Sequence, residues 1–369
     1  MCVAGCPTYV LERDERDSPR GRIYLMNEMF KKGEPSPATL RHLDRCLTCR
    51  ACETACPSGV EYGELADLGR KMAETARPPM AQKGRQLMAN TLSRPNVMRA
   101  AAGVFAAASP VLGNGWRQHM KRRRKPVLHS HSRRVIMLSG CAEAAFSPQT
   151  HAALADVLNA AEIEMISPSS GCCGALRYHL NLQEEGLADM RRNVETWAPL
   201  LKSGEAEAVV MTSSGCHRMA AEYGRLLGTP EANLVAGKII SAAELVEREW
   251  KTLSRRLRPV TEPEVAYHSP CTMQHGLGLD GRAENLLRKA GYTVSIPAEK
   301  DMCCGSAGAY SLLQPSRAKR LRARKLRNLD EIGGRLATAN IGCQLFLTGG
   351  GRRPVLHWLE LLAEALTPA

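Results

Sequence analysis

The sequence predicts a multidomain α+β protein, in which a helical, cysteine-rich N-terminal module precedes two copies of one small α/β unit. Three observations predict it. Six of the fourteen cysteines lie within the first 56 residues, in two runs that each end in Cys-Pro. The other eight recur as two sets of four at a nearly constant offset. Between those eight, short apolar runs alternate with helical patterns. The expected divisions are 1–85 for the helical module, 86–131 for a helical and basic linker, and 132–255 and 256–369 for the repeats.

A chain of 369 residues has room for two or three domains. Hydrophobic residues at 44% and charged residues at 24% exclude disorder as the main state. The best apolar run, Ala100 to Leu112, is shorter than the ~18–20 residues that span a bilayer and contains Pro110. Cys2 and Cys6 follow Met1 where a charged and then apolar leader would stand, so no signal peptide is expected. The expected location is the cytoplasm, or the inner face of the cell membrane as a peripheral protein. The net charge of +13 is partly local, in the run Lys121, Arg122, Arg123, Arg124, Lys125. No zinc-finger spacing, helix-turn-helix signal or aromatic-interleaved basic stretch accompanies it, so nucleic acid is not an expected partner. The run reads as a solvated linker, with contact to anionic lipid as the alternative. Thiols stay reduced in the cytoplasm, so fourteen cysteines point to metal or redox chemistry.

In the first module, Cys46, Cys49, Cys52 and Cys56-Pro57 form C-x2-C-x2-C-x3-C-P, the bacterial ferredoxin run. Three thiolates at such spacing wrap one [4Fe-4S] cluster, and the fourth ligates a second. Structural zinc sites use paired C-x2-C knuckles instead. Cys2-Val-Ala-Gly-Cys6-Pro7 is the last half of another such run. By the exchange rule, Cys6 joins Cys46, Cys49 and Cys52, while Cys2 and Cys56 are left as half of an incomplete second [4Fe-4S] site. Ser18 before Pro19 marks a helix start. Leu40, Leu43 and Leu47 continue a helical approach, so the ferredoxin-like module is helical rather than a compact β-ferredoxin.

Each repeat reads as strand, helix, strand, Cys-Cys-Gly loop, helix, strand, cysteine, helix. The first set is Cys141, Cys172, Cys173 and Cys216; the second is Cys271, Cys303, Cys304 and Cys343. Val135–Gly140 leads to Cys141 and Val265–Pro270 to Cys271. Ile163–Pro168 and Tyr292–Pro297 lead to the pairs, whose following Gly174 and Gly305 let backbone approach closely. The alternation implies a small parallel sheet, with the cysteines beyond the strand carboxyl ends where ligands bind. These thiols fit further iron–sulfur clusters, zinc, or a metal-free cysteine pocket.

The residues carry a family resemblance. Asp17-Ser18-Pro19-Arg20-Gly21-Arg22-Ile23-Tyr24, the run His42 to Glu53, Cys172 to Leu176 and His268-Ser269-Pro270-Cys271 are similar to the iron–sulfur subunit family of glycolate oxidase. The resemblance covers the whole chain. It implies the electron-transfer subunit of a multi-subunit complex, not catalytic alone. A separate FAD-containing subunit would oxidise glycolate to glyoxylate, and this chain would pass the electrons towards membrane quinone. The alternatives are the equivalent subunit of a D-lactate or glycerol-3-phosphate dehydrogenase, or a zinc-binding scaffold without redox function. The family pattern holds two [4Fe-4S] clusters; one is complete here.

The sequence departs from the related heterodisulfide reductases, where the last cysteine belongs to a C-x2-C. Met219 and Phe346 occupy that third position here, leaving four thiols per set, and Thr272 replaces a histidine expected after Cys271. At the N-terminus, Met1 stands between the second and third ligand positions of a full run, so in-frame DNA upstream is expected to encode C-x2-C-G. Gly276-Leu277-Gly278-Leu279-Asp280-Gly281 matches G-x-G-x-x-G but lacks the acidic partner of a dinucleotide site, and reads as a turn. His179, His217, His268 and His275 lie near the repeat cysteines. They read as structural, with hydrogen bonding to a cluster sulfur or proton transfer as the alternative.

Overall fold

The computed structural model describes residues 2–109, 111–168 and 171–367. Met1, on which the expectation of an upstream start rests, lies outside them, as does Pro110. The N-terminal module is helical: α1 (Pro7–Glu12), α2 (Pro19–Lys32), α3 (Pro37–Asp44), α4 (Ala51–Thr54) and α5 (Tyr62–Ala73). Its starts follow from local chemistry. Prolines supply the first turn of α1, α2 and α3, where a missing N–H costs nothing. Ser18 and Ser36 cap α2 and α3 by accepting from the N–H groups of Gly21 and Thr39. Met26, Met29, Leu43, Tyr62, Ala66 and Ala73 form the small core. Three further helices, α6 (Pro79–Leu92), α7 (Pro95–Ala108) and α8 (Asn114–Lys121), carry the chain to the first repeat.

The repeats are two four-stranded parallel sheets of identical order. In the first, β1 (Arg133–Met137), β2 (Ile163–Ile166), β3 (Val209–Met211) and β4 (Ile239–Ser241) run β2-β1-β3-β4. In the second, β5 (Glu264–His268), β6 (Thr293–Ser295), β7 (Arg335–Thr338) and β8 (Val355–His357) run β6-β5-β7-β8. The sequence pattern yields three strands per repeat; the fourth is a correction. β4 and β8 are three residues long, and their last residues, Ser241 and His357, also cap the next helix in a capping box with Glu244 and Glu360. Such a strand is read as the lead-in to its helix. The cysteines follow the carboxyl ends of the first three strands in each copy, across the point where strand order reverses.

The two repeats share one apolar core reciprocally. Helix Pro148–Ala160 of the first packs on helix Trp358–Glu364 of the second, and helix Ala242–Arg248 of the first on helix Arg282–Lys289 of the second. The basic run is not freely solvated, which corrects the linker expectation. Arg122 pairs with Glu360 and Glu364, Arg123 donates to the Ala145 carbonyl, and Arg124 pairs with Asp156. Lys121 and Lys125 remain exposed. No described helix is long and apolar enough to cross a membrane.

Candidate metal centres

All fourteen cysteines are free thiols. A pocket in the N-terminal module is walled by Cys6, Cys46, Cys49 and Cys52, together with Arg22, Leu47 and Tyr62. Cys6 caps the start of α1, Cys46 and Cys49 lie on the loop entering α4, and Cys52 is in the first turn of α4. That loop closes tightly through left-handed backbone at Thr48 (φ 53°) and Arg50 (φ 61°), a strained conformation of the kind that clusters at binding sites. The Thr48 N–H and the Tyr62 hydroxyl donate to Cys46 Sγ at 3.4 and 3.7 Å. Burial opposes ionisation of Cys46, but Arg22 and Arg70, with those two donors, outweigh it and hold the thiol below the usual range. Burial pushes Cys52 up to about 12 and Cys49 well above its ordinary value. Cys2 and Cys56 are outside the cavity wall; both are partly exposed. The N–H groups of Val60, Ser58 and Gly59 lower the Cys56 thiol.

Sequence reasoning missed what stands behind this cavity. Arg22 is buried, and its guanidinium donates to the His42 carbonyl (2.7 Å), Thr8 Oγ1 (2.9 Å) and Asp17 Oδ1 (3.3 Å), with Cys6 Sγ at 3.8 Å. Asp17 also receives Arg45 at 3.0 Å and meets His42 Nδ1 at 2.8 Å. Burial disfavours a charged Arg22, yet Cys46, Tyr62, Cys6 and Asp17 around it raise its pKa overall. A fixed positive charge therefore faces the four thiols.

In the first repeat, Cys172 Sγ lies 3.8 Å from Cys141 Sγ, and Cys173 adjoins both Cys172 and Cys216. In the second, Cys303 adjoins Cys271 and Cys304, and Cys304 Sγ lies 3.2 Å from Cys343 Sγ. Hydrogen bonding between neighbouring thiols sets their order in each copy. Cys172 and Cys303 are held well below the usual thiol range, and Cys141, Cys173, Cys271 and Cys304 well above it. Gly174 (φ 85°) and Gly305 (φ 93°) make the close approach expected of them: a Cβ would stand 2.7 Å from the Gly186 oxygen or 2.8 Å from the Ala318 oxygen. The ferredoxin-type cavity and the second set are contiguous. Cys49 and Leu47 share an apolar cluster with Cys271, Cys303, Tyr310 and Phe346.

Comparison with known proteins agrees with this layout. A 4Fe-4S dicluster domain family matches residues 1–60, and a cysteine-rich domain family matches 135–220 and 265–348. The chain is 41% identical to the glycolate oxidase iron–sulfur subunit of Escherichia coli (strain K12), over 99% of this chain and 92% of that protein. The chain belongs to the glycolate oxidase iron–sulfur subunit family. It is 27% identical to a probable glycolate oxidase iron–sulfur subunit of Bacillus subtilis (strain 168), over the same shares. It is 23% identical to one of the heterodisulfide reductase proteins of Methanosarcina barkeri, again over 99% and 92%.

A member of this family with a 4Fe-4S dicluster domain carries iron–sulfur clusters. The donor sets fit such a cofactor: reduced soft thiols converge from distant segments, already partly biased towards thiolate. Of the four singled-out histidines, His268 reaches the thiols, lying with Cys304 and Cys343 in one group of donors. His179 instead approaches Asp67 at 3.4 Å and His275 meets Thr54 Oγ1 at 3.1 Å, both in the N-terminal module. Burial lowers His217 to about 4. Gly276 ends a π-helical turn (Thr272–Gly276) that follows Cys271, and the rest of the G-x-G-x-x-G segment bends and turns, with Gly281 leading into helix Arg282–Lys289. Lys325, overlooked in the sequence, is buried beside the second set, donating to the Glu299 carbonyl at 2.6 Å.

Proposed function

We propose that this iron–sulfur subunit takes electrons from a separate FAD-containing subunit that oxidises glycolate to glyoxylate, and passes them towards quinone at the membrane. The observation that carries this reading is the contiguity of Cys49 with Cys271 and Cys303, which joins two thiol centres through one apolar layer. Cys6, Cys46, Cys49 and Cys52 are the residues to hold one [4Fe-4S] cluster, Cys2 and Cys56 contribute to a second, and the two Cys-Cys-Gly sets hold further metal. A bound cluster supplies single-electron acceptance and donation. Arg22 and Arg70 offset the negative charge of the thiolates, Tyr62 and the Thr48 N–H hydrogen-bond a ligand sulfur, and Leu47 and Tyr310 exclude water between centres. The four-part division 1–85, 86–131, 132–255 and 256–369 assigns the first part and the last two to electron storage.

The part between them supports a membrane surface as the site of electron exit. Residues 75–142 contain no Asp or Glu and thirteen Lys or Arg. Met80, Leu87, Val104 and Val111 are exposed there. The test of function is reconstitution. The chain alone is expected not to reduce a dye with glycolate, and to restore quinone reduction when added to its flavoprotein partner. Glycolate oxidation by the isolated chain, or iron and sulfide absent from anaerobically purified protein, overturns the assignment.

A further inference from the structure

The two Cys-Cys-Gly sets have the same strand order and nearly the same thiol spacing, but their surroundings differ at two buried positions. In the register of the lead cysteines, His268 of the second repeat corresponds to Leu138 of the first. In the register of Asn193 and Asn328, Lys325 corresponds to Met190. All four are buried. The first set is thus walled by apolar side chains where the second has an imidazole and an ammonium.

His268 is the last residue of β5, and strand alternation sends its side chain to the face opposite Tyr267, which is in the shared core. Its carbonyl is pinned by Thr338 Oγ1 at 2.8 Å. The ring is 2% exposed, and neither Nδ1 nor Nε2 has a nitrogen or oxygen partner, the Cys343 thiol being the group it meets. A buried polar group left unpaired costs about 1–3 kcal/mol, so such a ring stands where something else satisfies it. A ring nitrogen, Cys304 Sγ and Cys343 Sγ all lie within 4.8 Å of one another. Donors bonded to one tetrahedral ion at about 2.3 Å lie roughly 3.8 Å apart, so this group has the size of one metal's coordination sphere. Among the described residues, no three donors of the first set meet as closely.

We propose that His268 is a metal ligand of the second Cys-Cys-Gly centre, alongside Cys304 and Cys343, so that this centre has mixed nitrogen and sulfur coordination while the first is all-thiolate. The metal is a thiophilic one, iron of an iron–sulfur cluster or a single zinc. If it is iron, a neutral imidazole beside the same four thiols, in a coordination position that an anionic thiolate would otherwise fill, raises the reduction potential, and the nearby Lys325 ammonium acts in the same direction. The second centre, beside Cys49, is then the higher-potential one and the natural collecting point for electrons.

This inference rests on the reading that the second set binds metal, and the test separates the two. Full-length protein is purified anaerobically with 15N-labelled histidine, and iron and zinc are counted per chain in wild type, C304S, H268L and H268C. The expected result is an equal loss of iron or zinc in C304S and H268L, and its retention in H268C. Pulsed electron paramagnetic resonance should show a 15N coupling to iron that H268C abolishes while lowering that centre's potential. If the metal is zinc, X-ray absorption should show imidazole scattering that H268C abolishes. Unchanged metal in C304S overturns the reading and the inference together. Metal lost in C304S, with no imidazole signature in wild type, overturns the inference alone, and does so even where H268L fails to fold.

Discussion

Arg22 shows how a single residue can serve both fold and cofactor site. Its guanidinium holds together α1, α2 and α3 through Thr8, Asp17 and the His42 carbonyl, and it faces the Cys6 thiol. Replacing it by Met leaves Asp17 buried with fewer partners, and removing one member of a buried pair costs about 3–5 kcal/mol. R22M is therefore expected to lose the ferredoxin-type cluster and much of the module's stability, whereas R22K retains the charge and part of both; iron content and thermal melting under argon check this. C49S is expected to remove the cluster's signal from the reduced protein's resonance spectrum. Survival of that signal would mean that the ligand set is misassigned. The four cavity cysteines were legible from spacing and the exchange rule alone. Asp17, Arg22 and His42 were not, because local signals show Ser18-Pro19 as a helix start and are silent on which charges a distant turn will bury.

At the scale of elements, the repeat was legible because its punctuation is chemical. Cys-Cys-Gly marks the turn after β2 and β6, and glycine is required there on two counts. Gly305 has φ 93°, where a side chain costs roughly 1–2 kcal/mol, and its Cβ would stand 2.8 Å from the Ala318 oxygen. G305A is expected to lower stability by about 2 kcal/mol or more and to weaken metal retention at the second set. G281A is the comparison: φ is 79°, but the nearest atom stands 4.0 Å away, so only the backbone strain should appear. Equal melting of the two variants would show that close packing adds nothing at Gly305. The fourth strand of each repeat escaped sequence reasoning because Ser241 and His357 bear a helix-capping signal that masks the strand before it, whereas the equally short β3 and β6 are marked by the cysteines that follow them.

The whole molecule is held by buried neutral groups that tie its parts together, and this gives it a pH dependence. His119 lies against the Phe146 carbonyl, His151 in helix Pro148–Ala160, and His357 against the Thr212 carbonyl of the other repeat. Burial, above all, lowers them to about 4, 4 and 3 from 6.5. A base depressed in the fold stays neutral while the unfolded chain takes up the proton, so stability is full above about 6.5 and falls as pH drops towards 4. Burial raises the Glu143 and Glu284 carboxyls to about 8 and 7, and these act in the opposite sense, so the test is the difference between variants. From pH 7.5 to 5.5 the melting temperature of H357Q is expected to fall less, or rise more, than that of the wild type, and parallel slopes would refute the role of His357. The same scale contains the charge asymmetry of residues 75–142, which no single motif reveals. Arg122, Arg123 and Arg124 are engaged with the repeats, which leaves Lys83, Arg94, Arg99, Arg117, Lys121 and Lys125 exposed in the same segment of the chain as the exposed Met80, Leu87, Val104 and Val111. Each basic residue near an anionic surface contributes ~1 kcal/mol, screened by salt, while the apolar side chains add a salt-insensitive part. The purified protein is therefore expected to sediment with vesicles containing phosphatidylglycerol and not with pure phosphatidylcholine, and to be released in large part by high salt. Replacing Lys121 and Lys125 by Glu should weaken binding several-fold, and replacing Met80, Leu87 and Val104 by Ser should remove the fraction that resists salt, with cluster content unchanged in both. Equal binding to both kinds of vesicle would show that the basic residues contribute nothing, and binding to neither would place the exit of electrons at another protein instead of at the lipid surface.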